Sequence, residues 1–520
     1  MRLRFHAPSA RTVHGRCWLV RRVAVPLLLA AAVLPGATPA RALERLVVQL
    51  SLLQTSFSIR VNDLASQRGA LSGNSDLAQL DQASKGQISG SIRRLLATPL
   101  PIQTRDVLNH AIGTPLFSQL LLLASALIQV EGLPPDSDGR VLAAALRTLP
   151  PDQPLTILSL LQALPGQVAS IDLEQALLVI SRLQQQQRRG MALVDQLPAV
   201  SIDPALSTDP RLPISSRSLR LPVPHRAAPL QLELVAPGQA ANGRLVVISH
   251  GLWDGPVSFA GWADRLAGRG YTVILPHHPG SDSQQQQAML SGRAAPPSPD
   301  ELRLRPLDIT ALIDAVAAGA IPGLQGVRTE RVVVLGHSWG ATTALQLAGA
   351  RPSSLQLRQR CDDLNDPDRN LSWVLQCSFL SAAGSADLAD PRVIGVAAVS
   401  PPLNLIFDTA AAGRMRARAL LVSGSSDWVV PSGPEAIDRF SRPGRQGHQL
   451  VLVRGGDHFN LRAPRSTPAA PLTALMLAWT EAVFQAGAAA RPAPGAAPLL
   501  RPVGWGHASL PLVEASRSMD

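Results

Sequence analysis

The sequence predicts an α/β fold, a mostly parallel sheet flanked by helices, preceded by an all-α region, and three observations predict it. Gly336-His337-Ser338-Trp339-Gly340 directly follows the apolar run Arg331-Val332-Val333-Val334-Leu335 and precedes the helix-forming stretch Ala341 to Ala350. Two later buried-strand patterns run into polar loops, Ala419 to Val422 into Asp427 and Gln449 to Val453 into His458. Residues 43–200 carry helix periodicity and capping signals, with no strand pattern.

The chain opens on a basic stretch to Arg22, an apolar Val23 to Leu34 and small residues ending at Ala40-Arg41-Ala42. That is the tripartite form of a secretory signal, so residues 1–42 are expected to be removed on export to the periplasm or medium. The apolar part is too short to span a bilayer. Of the formal charge of +11, seven units come from arginines in this leader, leaving +4 for a chain beginning at Leu43. A basic nucleic-acid groove is therefore not indicated, and the single tyrosine and nine phenylalanines offer few rings for base stacking.

In 43–200, Thr114-Pro115 reads as cap and first turn of a helix from Leu116 to Val130, and Asp172 with Gln175 as a capping box for Leu173 to Gln187. Pro- and Ser-rich sequence over 201–224 reads as a linker to a second domain, 225–485, and Ala-Pro-Gly-rich sequence over 486–520 as a mobile tail. Within the second domain, 351–392 is an insertion in which Cys361 and Cys377 bracket the polar, turn-rich stretch Asp362 to Arg369. In an exported protein these remaining cysteines are expected to pair, closing a short loop worth about 3 kcal/mol.

The chemistry is read from the serine turn. A tight strand-to-helix turn lifts Ser338 off the sheet, and glycines two residues to either side leave room for it. A serine hydroxyl needs a histidine to take its proton and a carboxylate to orient that histidine. His458 and Asp427 lie at the ends of later strands, in the order Ser338, Asp427, His458. Two backbone N–H groups must hold the oxyanion. Trp339 supplies one, and the loop His250-Gly251-Leu252-Trp253 after Leu245 to Ser249 supplies the other, with Leu252 as the expected donor and Gly251 as the alternative.

Several residues are set aside. His277, His278 and Asp282 could be drawn as a metal site, but adjacent residues of an extended segment project to opposite sides. His448 starts the strand that His458 ends. Asp457 reads as a loop-shaping residue, and Trp253 and Trp339 either wall an acyl pocket or pack in the core. No phosphate loop, dinucleotide fingerprint or zinc spacing occurs in 225–485, so neither cofactor nor metal is expected.

The triad order is that of the α/β-hydrolases. Ser249 to Gly255, Phe259, Gly270 to Ser281 and Arg305-Pro306-Leu307-Asp308-Ile309 resemble the platelet-activating-factor acetylhydrolase and dienelactone-hydrolase-like branch. Dienelactone hydrolases use a cysteine nucleophile, so Ser338 favours the acetylhydrolase side. Residues 43–200 resemble the helical domain of unknown function that precedes such hydrolases in cyanobacterial proteins. The resemblance implies a carboxylic ester hydrolase acting through an acyl-enzyme on small-molecule esters, with short-acyl lipid-like esters and peripheral lipid contact as first expectations. A catalytically silent scaffold and an acyltransferase on the same fold are the alternatives.

Overall fold

The structure, a computed structural model, describes residues 43–516 apart from 51–54, 62–75, 88–89, 91–111, 113, 126–127, 134–138, 151–155, 208–211, 364–365, 367, 385–386, 409, 441–445 and 468. The expected signal segment, 1–42, lies outside the described residues.

The region after it is not all-α. Strands β1 (Arg45–Leu50) and β2 (Thr55–Arg60) are followed by helices α1 (Asp76–Ala83) and α2 (Pro115–Ser125) and by β3 (Ile128–Val130). Then come α3 (Arg140–Thr148), α4 (Ile157–Ala163), β4 (Val168–Asp172) and α5 (Leu173–Gln196). The strands form a sheet in the order β2-β1-β4-β3. β1 and β2 are antiparallel, whereas β1 and β4 pair in parallel across nearly the whole module. These strands are short, and a parallel partner supplied from so far along the chain leaves no local signature. Pro115 does open α2, and Ser118 N–H donates to the Thr114 carbonyl at 2.9 Å. The helix stops at Ser125 rather than Val130, because Ile128 to Val130 pair with Ala169 to Ile171. α5 begins at Leu173 as expected and runs past Gln187 to Gln196. The side chains of Asp172 and Gln175 lie outside those described.

The larger sheet has the order β13-β12-β11-β10-β9-β7-β8-β6-β5. Its parallel centre comprises β7 (Arg244–Ser249), β8 (Thr272–Pro276), β9 (Arg328–His337), β10 (Val393–Val399), β11 (Arg418–Gly424) and β12 (Gln449–Val453). Helices α6 (Ala260–Ala267), α7 (Glu301–Ala317), α8 (Trp339–Leu347) and α11 (Thr473–Ala486) belong to the same domain, with α9 (Ser354–Arg360) and α10 (Ser372–Cys377) in the insertion. Both faces are covered, as parallel sheets require. Alternate residues serve opposite cores: Val332 and Val334 pack toward α7 and α8, Val333 and Leu335 toward α6 and α11.

Two expectations at the sheet edges are corrected. The linker 201–224 contains β5 (Ile214–Leu221), antiparallel to β6 (Leu230–Pro237). Its Ser- and Arg-rich sequence suits an edge strand, whose solvent side needs no apolar residues. The segment 486–520 is no mobile tail over its described part. β13 (Leu512–Glu514) pairs antiparallel with β12, and Trp505 is fully buried against the second core. The Ala-Pro-Gly composition masked these few anchoring apolar residues.

In the insertion, Cys361 and Cys377 form a disulfide with Cα atoms 5.7 Å apart. Both are buried with Leu357, Trp373 and Leu405. Within the closed loop, Arg369 donates to the carbonyls of Cys361 at 3.0 Å and Asp363 at 3.1 Å.

Candidate active site

β9 ends at His337 and α8 starts at Trp339, so one residue makes the turn. Ser338 has φ 53° and ψ −121°, a left-handed conformation that a side chain rarely adopts. The flanking glycines make the turn possible. A Cβ on Gly336 would stand 2.1 Å from the Gly340 carbonyl oxygen, and one on Gly340 would stand 2.0 Å from the Ser249 carbonyl oxygen. No other residue fits at either position. Ser338 N–H donates to the Val399 carbonyl at 2.9 Å, tying the turn to β10. Its side chain thus sits at the N-terminus of α8, where unsatisfied N–H groups favour negative charge.

Asp427 and His458 are brought together from the ends of β11 and β12. Backbone proximity makes this possible: Ser426 N–H donates to the Gly456 carbonyl at 2.9 Å. The fully buried Asp427 Oδ2 lies 3.0 Å from His458 Nδ1, and Asp427 Oδ1 accepts from the Val429 and Val430 N–H groups at 3.0 and 2.8 Å. The carboxylate is therefore fixed by its own loop, and the imidazole carries its proton on Nδ1, leaving Nε2 as an acceptor. His337, next to Ser338, donates from Nε2 to the His458 carbonyl at 3.0 Å, and the two rings lie 4.8 Å apart. Burial, and then the neighbouring His458, pushes His337 well below the usual histidine range, so it adds no charge there.

The loop after β7 closes the other side. A Cβ on Gly251 would come within 3.1 Å of Ser338 Cβ, so the backbone of this loop lies directly against the serine. His250 donates from Nδ1 to the Gly251 carbonyl at 2.7 Å, while its Nε2 accepts the His278 N–H at 3.2 Å. Because a trans peptide holds C=O and N–H antiparallel, fixing the Gly251 oxygen also fixes the direction of the Leu252 N–H. Trp253 continues at φ 57° and donates its N–H to the Ser281 carbonyl at 2.7 Å.

A buried polar network underlies this loop. Arg305, from α7, donates to the His250 carbonyl. Asp308, one turn on, accepts from His278 Nδ1 at 2.7 Å, from Arg226 at 2.9 and 2.7 Å, and pairs with His225 at 2.8 Å. Burial works against the Asp308 charge, yet these partners hold its carboxyl below the usual range. Burial, and then Arg305, pushes His278 down to about 3, so it stays neutral and its Nε2 accepts the Ser249 hydroxyl at 3.0 Å. In the sequence, Arg305 and Asp308 carry a resemblance and no role of their own. Their spacing on one helix face is the available signal, but their partners, His250 after β7, His278 after β8 and His225 and Arg226 before β6, become neighbours only in the folded sheet.

His277 turns away from its neighbour, lying 4.0 Å from both Glu233 and Asp282. Among the described residues no group of three or more ligating side chains is placed to hold a metal ion. Asp457 accepts the N–H groups of Phe459 and Asn460, both at 2.7 Å, and shapes its loop. His448 caps the opposite end of β12, accepting the Ala419 N–H at 3.0 Å. Trp339 packs in the core against Phe379 at 4.4 Å between ring centroids, whereas the half-buried Trp253 donates to Gln285 at 2.9 Å.

Two family models match the chain. One, described as alpha/beta hydrolase fold, matches residues 244–356, which run from β7 through Ser338 to α9. The other, described as alpha/beta hydrolase of unknown function (DUF1400), matches residues 42–172, the amino-terminal module. A search of curated proteins gives no match. Sheet order, serine turn and both matches agree, and the chain is a protein of the α/β-hydrolase fold.

Proposed function

We propose that the protein is a serine hydrolase that cleaves carboxylic esters through an acyl-enzyme. The observation that carries this reading is the Asp427–His458 pair, set at the carboxyl ends of β11 and β12 with His337 linking His458 to the serine turn. His458 Nε2 takes the Ser338 hydroxyl proton as Oγ bonds to the ester carbonyl carbon. The Leu252 and Trp339 N–H groups hold the resulting oxyanion. Collapse breaks the bond to the alcohol oxygen, which leaves with the proton from His458. Water, deprotonated by the same imidazole, then releases the acid and frees Ser338.

Short-acyl, lipid-like esters are the proposed substrates, by resemblance to the acetylhydrolase branch. Trp428 and Phe459 support an apolar ligand, since each is half exposed and directly follows Asp427 or His458. Export with loss of residues 1–42 is part of the proposal, and the Cys361–Cys377 disulfide suits an oxidising compartment. No helix among the described residues is long and apolar enough to cross a membrane. Hydrolysis of a 4-nitrophenyl ester series from acetate upward tests the reading: activity falling with chain length supports it, and no turnover of any ester removes it.

A further inference from the structure

The amino-terminal module reaches the site through α5. Its carboxyl half leaves the small sheet and lies on the hydrolase, where Val194 is buried with Ile437, Phe440, Leu450 and Leu452. Consecutive glutamines reach two different loops. Gln186 Nε2 donates to the Asp368 carbonyl at 3.1 Å, inside the disulfide-closed loop, and Gln187 Nε2 donates to the Ser426 carbonyl at 3.2 Å. Ser426 immediately precedes Asp427. On the far side of Asp427, the loop presses against α5 again. A Cβ on Gly433 would stand 2.5 Å from the Gln186 carbonyl oxygen, and one on Gly190 would stand 2.1 Å from Ser432 Oγ. The loop that carries Asp427 is thus held by α5 on both flanks.

The geometry points to α5 as a clamp that positions Asp427 against His458, so that a module of unknown role contributes to catalysis by setting the geometry of the triad acid. This rests on the serine-hydrolase reading above. The physical reason is steepness: a displacement of about 1 Å in a catalytic array can cost about 10²-fold in rate. Fixing the Ser426 carbonyl fixes the peptide plane that leads into Asp427. Gln187 acts on Asp427 through the Ser426 carbonyl, and it is a positioning residue.

Because the clamp acts through Asp427, its loss and the loss of Asp427 must not add. The test is a double-mutant cycle on the full chain with a 4-nitrophenyl ester. Gln187→Leu removes the donor and leaves an apolar side chain of similar size, and it is expected to lower kcat about three- to tenfold with KM unchanged. Gln187→Lys, which can still donate to a carbonyl, is expected to restore most of that loss. In an Asp427→Asn background the same Gln187→Leu change is expected to have no further effect. Gly433→Ala, which wedges the loop from the Gln186 backbone, is expected to behave in the same way with a larger loss. If it does not fold, the Gln187 pair decides alone, since Gln187 is half-buried and its replacement wedges no backbone apart. An equal loss in both backgrounds, a loss confined to KM, or wild-type kcat in Gln187→Leu would overturn the clamp. Absence of fluorophosphonate labelling or turnover in the wild type would instead count against the hydrolase reading itself.

Discussion

His250 Nδ1 donates to the carbonyl oxygen of Gly251, its own neighbour, at 2.7 Å. The bond turns the next N–H, that of Leu252, away from the buried side of the loop, while Arg305 holds the preceding carbonyl. In the proposed mechanism that N–H is the oxyanion donor, set before any substrate arrives. His250→Leu is expected to lower kcat about 10²-fold with KM little changed, as for loss of one oxyanion donor. His250→Asn keeps a donor near the Nδ1 position and is expected to recover much of this. Steady-state kinetics on the three proteins decides it, and equal kcat in all three would deny the loop this role.

The two candidate carboxylates are separated by what they touch. Asp427 faces His458, whereas Asp457 accepts the backbone N–H groups of Phe459 and Asn460 in its own loop. Asp427→Asn is expected to cost about 10⁴-fold in kcat by favouring the wrong imidazole tautomer. Asp457→Asn is expected to cost less than about tenfold. The reverse ranking would exchange the two assignments.

Much of this was legible because local rules decided it. Gly336 and Gly340 are demanded because a Cβ at either would clash with a backbone carbonyl, so the strand, serine and helix could be read together. Asp427 and His458 each follow an apolar strand, and the cysteines had only each other within the remaining chain. What escaped was settled by distant partners. β1 and β4 form a parallel pair, β5 is a polar edge strand, and Trp505 and Leu512 anchor a segment whose composition resembles a linker. Asp308, too, acquires its meaning from Arg226, His225 and His278, which reach it from other elements.

α5 also settles what truncation does. Val194 shares a buried cluster with β12 and β13, and Arg454 donates to the Val194 carbonyl. Deletion of residues up to Val200 is therefore expected to give insoluble or unfolded protein, and not a freely accessible enzyme. Circular dichroism and gel filtration of the truncated chain measure this. A folded, soluble fragment would mean that the hydrolase sheet does not need the helix.

Stability is expected to fall on mild acidification. Burial lowers His278 to about 3 and His448 to about 4, and holds His250 and His337 well below the ordinary value. Each is neutral when folded but binds a proton once unfolded below about pH 6.5. Their contribution is thus complete above about pH 6.5 and is lost as the pH drops toward the folded values, by up to about 1.4 kcal/mol per pH unit for each histidine. Urea unfolding between pH 7.5 and 5 reads the slope, and His448→Asn is expected to flatten it. A pH-independent midpoint would contradict the neutral burial of these rings.

The central claim is that Ser338 is an activated nucleophile, and the most direct measurement is intact mass and peptide mapping after reaction with a fluorophosphonate. One adduct per chain, located on Ser338 and absent from Ser338→Ala, is the expected result, with ester hydrolysis abolished in step. No adduct on a folded wild-type protein, an adduct elsewhere, or a Ser338→Ala variant that still hydrolyses esters within tenfold of wild type would contradict it.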